Sequence, residues 1–94
     1  MGSLPIIPQV NAVVLDPRDP KITFAAGPAG VFRSNDSGLN WQSRSEGLES
    51  AAIVALALNP GQPDTLYAAT AEGALFRSDD GAQTWRSIDT TASK

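Results

Sequence analysis

The side chains of this chain that could do chemistry are few. Its 94 residues include ten Asp and Glu, seven Lys and Arg and one tyrosine, with no histidine and no cysteine. The missing types exclude Cys nucleophiles, Ser-His-Asp triads, histidine general bases and ordinary zinc sites. Disulfides and histidine pH switches go with them. Carboxylate and guanidinium chemistry remains. Asp79 and Asp80 stand side by side and raise a paired-carboxylate site, which needs two carboxyl groups about 5 to 10 Å apart on one rim. Neighbouring strand residues point to opposite faces, so that pair converges only in an unusual turn. Gly27-Pro28-Ala29-Gly30 has the small residues of a phosphate loop, but it lacks the Gly-Lys-Ser/Thr ending and reads as a strand connection. No cofactor and no metal is called for. The net charge of −3 is spread without runs, so neither nucleic acid nor an anionic membrane is expected as a partner. The longest apolar run, Ala51 to Leu58, is too short to span a bilayer. No basic segment leading into an apolar core opens the chain, so a signal peptide is expected to be absent or already removed.

An internal repeat sets the elements that must position these groups. Val10-Asn11-Ala12-Val13-Val14-Leu15-Asp16-Pro17 returns 43 positions later as Ile53-Val54-Ala55-Leu56-Ala57-Leu58-Asn59-Pro60. Phe24-Ala25-Ala26 returns in the same register as Tyr67-Ala68-Ala69. After one added residue, Val31-Phe32-Arg33-Ser34 returns as Leu75-Phe76-Arg77-Ser78, and Trp41 as Trp85. The lead-in Ser3-Leu4 aligns with Gly47-Leu48. Each unit reads as four short strands: Val10–Leu15 (Ile53–Leu58), Ile22–Ala26 (Thr65–Ala69), Val31–Ser34 (Leu75–Ser78), and a fourth starting at Trp41 (Trp85). The first strand is apolar at consecutive positions, as expected of one covered on both faces. The fold class is therefore all-β. A unit of 40 to 45 residues with four strands has the size of one β-propeller blade.

The turn between the third and fourth strands carries a more specific pattern. Ser34-Asn35-Asp36-Ser37-Gly38-Leu39-Asn40-Trp41 fits S-x-D-x-G-x-x-W at every fixed position, and Ser78-Asp79-Asp80-Gly81-Ala82-Gln83-Thr84-Trp85 follows it except at Ala82. This resembles the Asp-box, or BNR, repeat of sialidase-like and sortilin-like propellers, over the chain from about Leu4 to Ile88. The resemblance implies a folding element built on Ser34, Asp36, Gly38 and Trp41 and again on Ser78, Asp80, Thr84 and Trp85. A short Asp side chain can accept N–H groups of its own turn, and Ser can do so more weakly. Each tryptophan is expected to bury its ring under its hairpin while the indole N–H finds one acceptor. Ala82 stands where the family has Gly, so the second turn is expected to be strained or reshaped. Sialidases of this resemblance use an arginine cluster, a Tyr/Glu pair and an Asp acid/base. Here the only tyrosine, Tyr67, has Phe24 as its repeat partner, and Arg33 and Arg77 are repeat equivalents, which points to packing. No catalytic residue is assigned.

The expected organisation is an expression-derived start at residues 1–3, blade 1 over 4–47 and blade 2 over 48–94. Both faces of a blade press on neighbours, so two blades alone leave apolar surface wet, and repeat folds generally need three or more units. A head-to-tail ring of identical chains resolves this. Three chains with six blades are expected, with four chains and eight blades as the alternative. The expected function is a self-assembling scaffold without catalytic activity, a fragment or an engineered piece of a longer protein. A lectin-like module binding glycan or protein is the alternative, with Arg44, Glu46 and Glu72 as polar candidates on the strand-connecting loops. A glycoside hydrolase remnant is the third reading.

Overall fold

Two β-rich apolar runs, each stopped by an Asp-Pro or Asn-Pro turn, open two separate sheets in the computed structural model, which describes residues 9–48 and 52–88. The 1–3 start, the Leu4–Pro8 lead-in and residues 49–51 lie outside those residues. The first sheet contains β1 (Ala12–Leu15), β2 (Thr23–Gly27), β3 (Gly30–Ser34) and β4 (Gln42–Ser43) in that order. The second contains β5 (Ile53–Leu58), β6 (Leu66–Thr70), β7 (Leu75–Ser78) and β8 (Arg86–Ile88). All neighbouring pairs are antiparallel. Each sheet is thus a four-stranded meander of the kind a propeller blade requires.

Strands β5 and β7 match the sequence pattern, β3 gains Gly30, and the others are shorter or shifted for local reasons. Val10 and Asn11 precede β1; the Asn11 N–H still donates to the Ala26 carbonyl at 2.7 Å, and its side chain donates to the Ile53 carbonyl of the second sheet at 2.9 Å. Ile22 belongs to a turn, its carbonyl closing a loop onto the Asp16 N–H at 2.9 Å. Thr65 does the same for Asn59 at 3.0 Å. Strands β4 and β8 start one residue after each tryptophan. A bulge between Ile53 and Ala55 interrupts the β5 ladder.

Register sorts the side chains into faces. Val14, Phe24 and Arg33 share one face of the first sheet, with Ala26 and Val31 beside them; Val13, Ala25 and Phe32 share the other. The Phe24 face packs against the face of the second sheet that carries Leu56, Ala68 and Phe76. One core therefore fills the seam between the sheets, with Phe24, Val31, Ile53 and Leu66 at 0–2% exposure. Each such side chain stabilises the fold by about 1.5 to 3 kcal/mol through burial. The faces turned away from the seam differ sharply. Val13 and Leu15 are each 53% exposed, although their repeat equivalents Leu56 and Leu58 pack against the core. Within this chain the first strand is covered on one face only.

Candidate functional site

The two Asp-box turns are the most regular polar structures in the molecule. In the first, Ser34 Oγ donates to Asp36 Oδ1 at 2.8 Å and accepts the Gly38 N–H at 2.8 Å. Asp36 in turn accepts the Asn40 N–H at 2.8 Å and the Asn40 side-chain amide at 2.7 Å. In the second, Ser78 Oγ donates to Asp80 Oδ1 at 2.8 Å and accepts the Ala82 N–H at 2.9 Å. Asp80 accepts the Thr84 N–H at 3.0 Å and the Thr84 hydroxyl at 2.7 Å. Ser37 and Gly81 then tie each turn to its own sheet, donating to the Lys21 and Asp64 carbonyls at 3.0 Å. Ser34 and Ser78 are 1% exposed, so their hydroxyls fill positions that would otherwise leave buried N–H groups unpaired.

This geometry holds both carboxyls ionised. The Asn40 amide, then the Asn40 N–H and the Ser34 hydroxyl, lower Asp36 to about 2. The Thr84 hydroxyl, followed by its N–H, lowers Asp80 to about 2. A general acid needs the opposite shift. Asp79 is drawn away from Asp80 by Arg77 Nε at 2.9 Å and Arg86 Nη2 at 3.2 Å. The Arg77 guanidinium holds the Asp79 carboxyl below the usual range. The adjacent carboxylates thus serve an ion pair and a turn, each taken up by its own partners.

The turn path needs two successive residues in the left-handed region. These are Ser37 (φ 65°) and Gly38 (φ 94°) in the first copy, and Gly81 (φ 72°) and Ala82 (φ 72°) in the second. Each copy supplies one glycine, at a different place. The second turn is therefore strained at Ala82 and keeps its shape, since its hydrogen bonds match those of the first.

Trp85 is 6% exposed, in one core cluster with Ala82 of its own turn, and its indole finds its acceptor on the other sheet: Nε1 donates to the Arg44 carbonyl at 2.7 Å. The Trp85 N–H donates to the Glu46 carbonyl at 2.9 Å. Trp41 is only half-buried and donates no side-chain hydrogen bond among the described residues. The difference is one of neighbours: the first sheet's blade supplies both hydrogen-bond partners of Trp85, and among the described residues the second does not do so for Trp41.

Arg44, Glu46 and Glu72 do not form a joint site. The Arg44 guanidinium donates to Gln42 Oε1 at 3.2 Å, the Glu46 side chain is exposed, and Glu72 sits in the β6–β7 turn. Two polar seam contacts were hidden in the sequence. Asn11 reaches the Ile53 carbonyl, and Arg18 bridges Asp16 Oδ2 at 2.7 Å and Asp64 Oδ1 at 2.9 Å. Neither residue has its own type as repeat partner, since Asn11 aligns with Val54 and Arg18 with Gly61. That break in the repeat was the available signal. Asp16 is 3% exposed, and the Arg18 guanidinium lowers its carboxyl.

The architecture has known counterparts. The chain is similar to YCF48 from Cyanidioschyzon merolae, with a TM-score of 0.72 and 19% identity over 89% of this chain and 24% of that one. It is also similar to the GH74 xyloglucanase from Xanthomonas campestris, with a TM-score of 0.66 and 15% identity over 83% of this chain and 15% of that one. Both are β-propellers, and at these identities the likeness shows the fold alone. The chain spans less than a quarter of either protein's length. No curated protein matches it. Residues 29–94 match the family model described as Sortilin, neurotensin receptor 3. The two sheets are β-propeller blades, and the chain belongs to the Sortilin-Vps10 family.

Proposed function

We propose that this β-propeller module is a non-catalytic scaffold whose two blades join further copies of the chain in a closed ring. Three chains and six blades are the favoured assembly, with four chains and eight blades as the alternative. One observation carries the reading: the two outward faces are residue equivalents of the two faces already packed in the seam. Val13 and Leu15, each 53% exposed, match Leu56 and Leu58, while Tyr67, Ala69 and Leu75 match Phe24, Ala26 and Val31. Burying this apolar surface supplies the driving force that two blades alone lack. The lowered carboxyls of Asp36, Asp79 and Asp80 support the non-catalytic part of the reading. Light scattering after size exclusion tests it. Masses of about 29 or 39 kDa, three or four chains of 9.8 kDa, are expected; a monomer throughout contradicts it.

A further inference from the structure

The outward face of blade 2 has a shape as well as a composition. A shallow apolar hollow of about 140 Å³ is lined by Ala55, Leu56, Ala57, Tyr67, Ala69 and Leu75, all but Leu56 from the outward face. Leu56 aside, the same positions of blade 1 hold Ala12, Val14, Phe24, Ala26 and Val31, the surface on which blade 2 already sits. Trimming Val14 to Ala57 opens the hollow, and the outward face of blade 1 presents Val13 and Leu15, each 53% exposed, in the places of Leu56 and Leu58.

We infer, resting on the ring reading above, that blade 1 of one copy docks on blade 2 of a second copy in the register of the seam within the chain. Its Val13 and Leu15 then cover the Ala57–Tyr67 hollow, and its Trp41 indole N–H donates to the backbone carbonyl of Ile88 of the partner subunit. The acceptor follows from the repeat: Trp41 stands 44 residues before Trp85, and Arg44, whose carbonyl takes the Trp85 N–H, stands 44 before Ile88. Trp41, half-buried and donating no side-chain hydrogen bond among the described residues, is the donor such a seam completes.

The other side-chain hydrogen bonds of the inner seam do not carry over. Asn11, which reaches the Ile53 carbonyl, is replaced in the repeat by Val54, and Arg18, which reaches Asp64, by Gly61. Across copies the Asp64 position is Lys21, which meets that glycine and forms no ion pair. The side chains of the seam between copies are therefore apolar apart from one indole hydrogen bond. It depends on concentration, and salt affects it little.

Sedimentation equilibrium on the wild type and on Val13→Asp, Ala57→Asp and Trp41→Phe tests this, with near-UV circular dichroism to check each fold. Val13 and Ala57 are exposed in the chain, so both aspartates are compatible with folded blades. Each is expected to give a monomer, because a carboxylate would be buried unpaired. Mixing the two restores one intact seam and gives a 1:1 dimer of about 20 kDa. Trp41→Phe keeps the ring but loses the donor, and is expected to weaken association about tenfold per seam. If the wild type assembles while Val13→Asp and Ala57→Asp leave its mass unchanged, this seam is overturned and the ring reading stands. Assembly with an unchanged association constant for Trp41→Phe overturns the Ile88 contact. A wild type that stays monomeric overturns both readings.

Discussion

Trp85 reaches across the seam to Arg44, 41 residues earlier, placing its indole N–H 2.7 Å from that backbone carbonyl. The residue that ends the Asp-box of one blade thus anchors the exit of the blade before it, and the close approach extends to Gly47, where an added Cβ would collide with the Trp85 backbone. Turn and seam are parts of one joint.

Trp85→Ala removes both a buried ring and that hydrogen bond. A loss of about 3 to 5 kcal/mol of unfolding free energy is expected. Trp41→Ala, studied at a dilution where single chains dominate, costs less, because Trp41 is only half-buried in the single chain. Urea denaturation of the two variants measures the difference, and equal costs would contradict the anchoring role.

Strain in the turn is separable from packing at Gly38. An added Cβ there meets only the Trp41 ring at 3.6 Å, while φ is +94°. Gly38→Ala is expected to cost about 1 to 2 kcal/mol from backbone conformation alone. Ala82→Gly relieves similar strain but deletes a methyl group that is fully buried, so the two effects oppose each other and the net change stays below about 1 kcal/mol. Thermal unfolding of both variants checks the pair.

Ser78→Ala leaves the Asp80 and Ala82 N–H groups without their acceptor and removes one of the donors to Asp80, whose bonds from Thr84 remain. About 2 kcal/mol of destabilisation is expected, and a similar loss for Ser34→Ala. Replacement by Thr, which keeps the hydroxyl, should recover part of the loss in each denaturation curve.

Acid should weaken the fold through the same turns. The folded values of Asp36 and Asp80, about 2, lie below the ordinary carboxyl range. Their contribution is full above the unfolded value near 4 and is lost as pH falls toward 2. Arg18 beside Asp16 and Arg77 beside Asp79 act in the same direction. Unfolding free energy measured from pH 6 to 2 should fall mostly below pH 4. The fall should be shallower in an Asp36→Asn, Asp80→Asn double variant.

Much of this was legible in the residues themselves. The 43-residue repeat placed both sheets and all eight strands, because turn residues such as Asp16-Pro17 and Asn59-Pro60 stop strands locally. The Ser34–Asp36 and Ser78–Asp80 pairs were legible for the same reason, their partners lying within a few residues. What escaped was long-range. Nothing within its own unit says that Trp85 is buried against a neighbouring blade while Trp41 is only half-buried. The contacts of Asn11 and Arg18 depend on how one blade leans on the next. Strand ends shifted by a residue wherever a turn captured a backbone group, as Ile22 does for Asp16.

The central claim is that the outward faces are the inner seam repeated, closing a ring. Native mass spectrometry over a range of concentrations tests it most directly. A closed ring predicts one dominant stoichiometry, three or four chains, that stops growing as concentration rises. A monomer at every concentration, or a ladder of species that lengthens without limit, would contradict it.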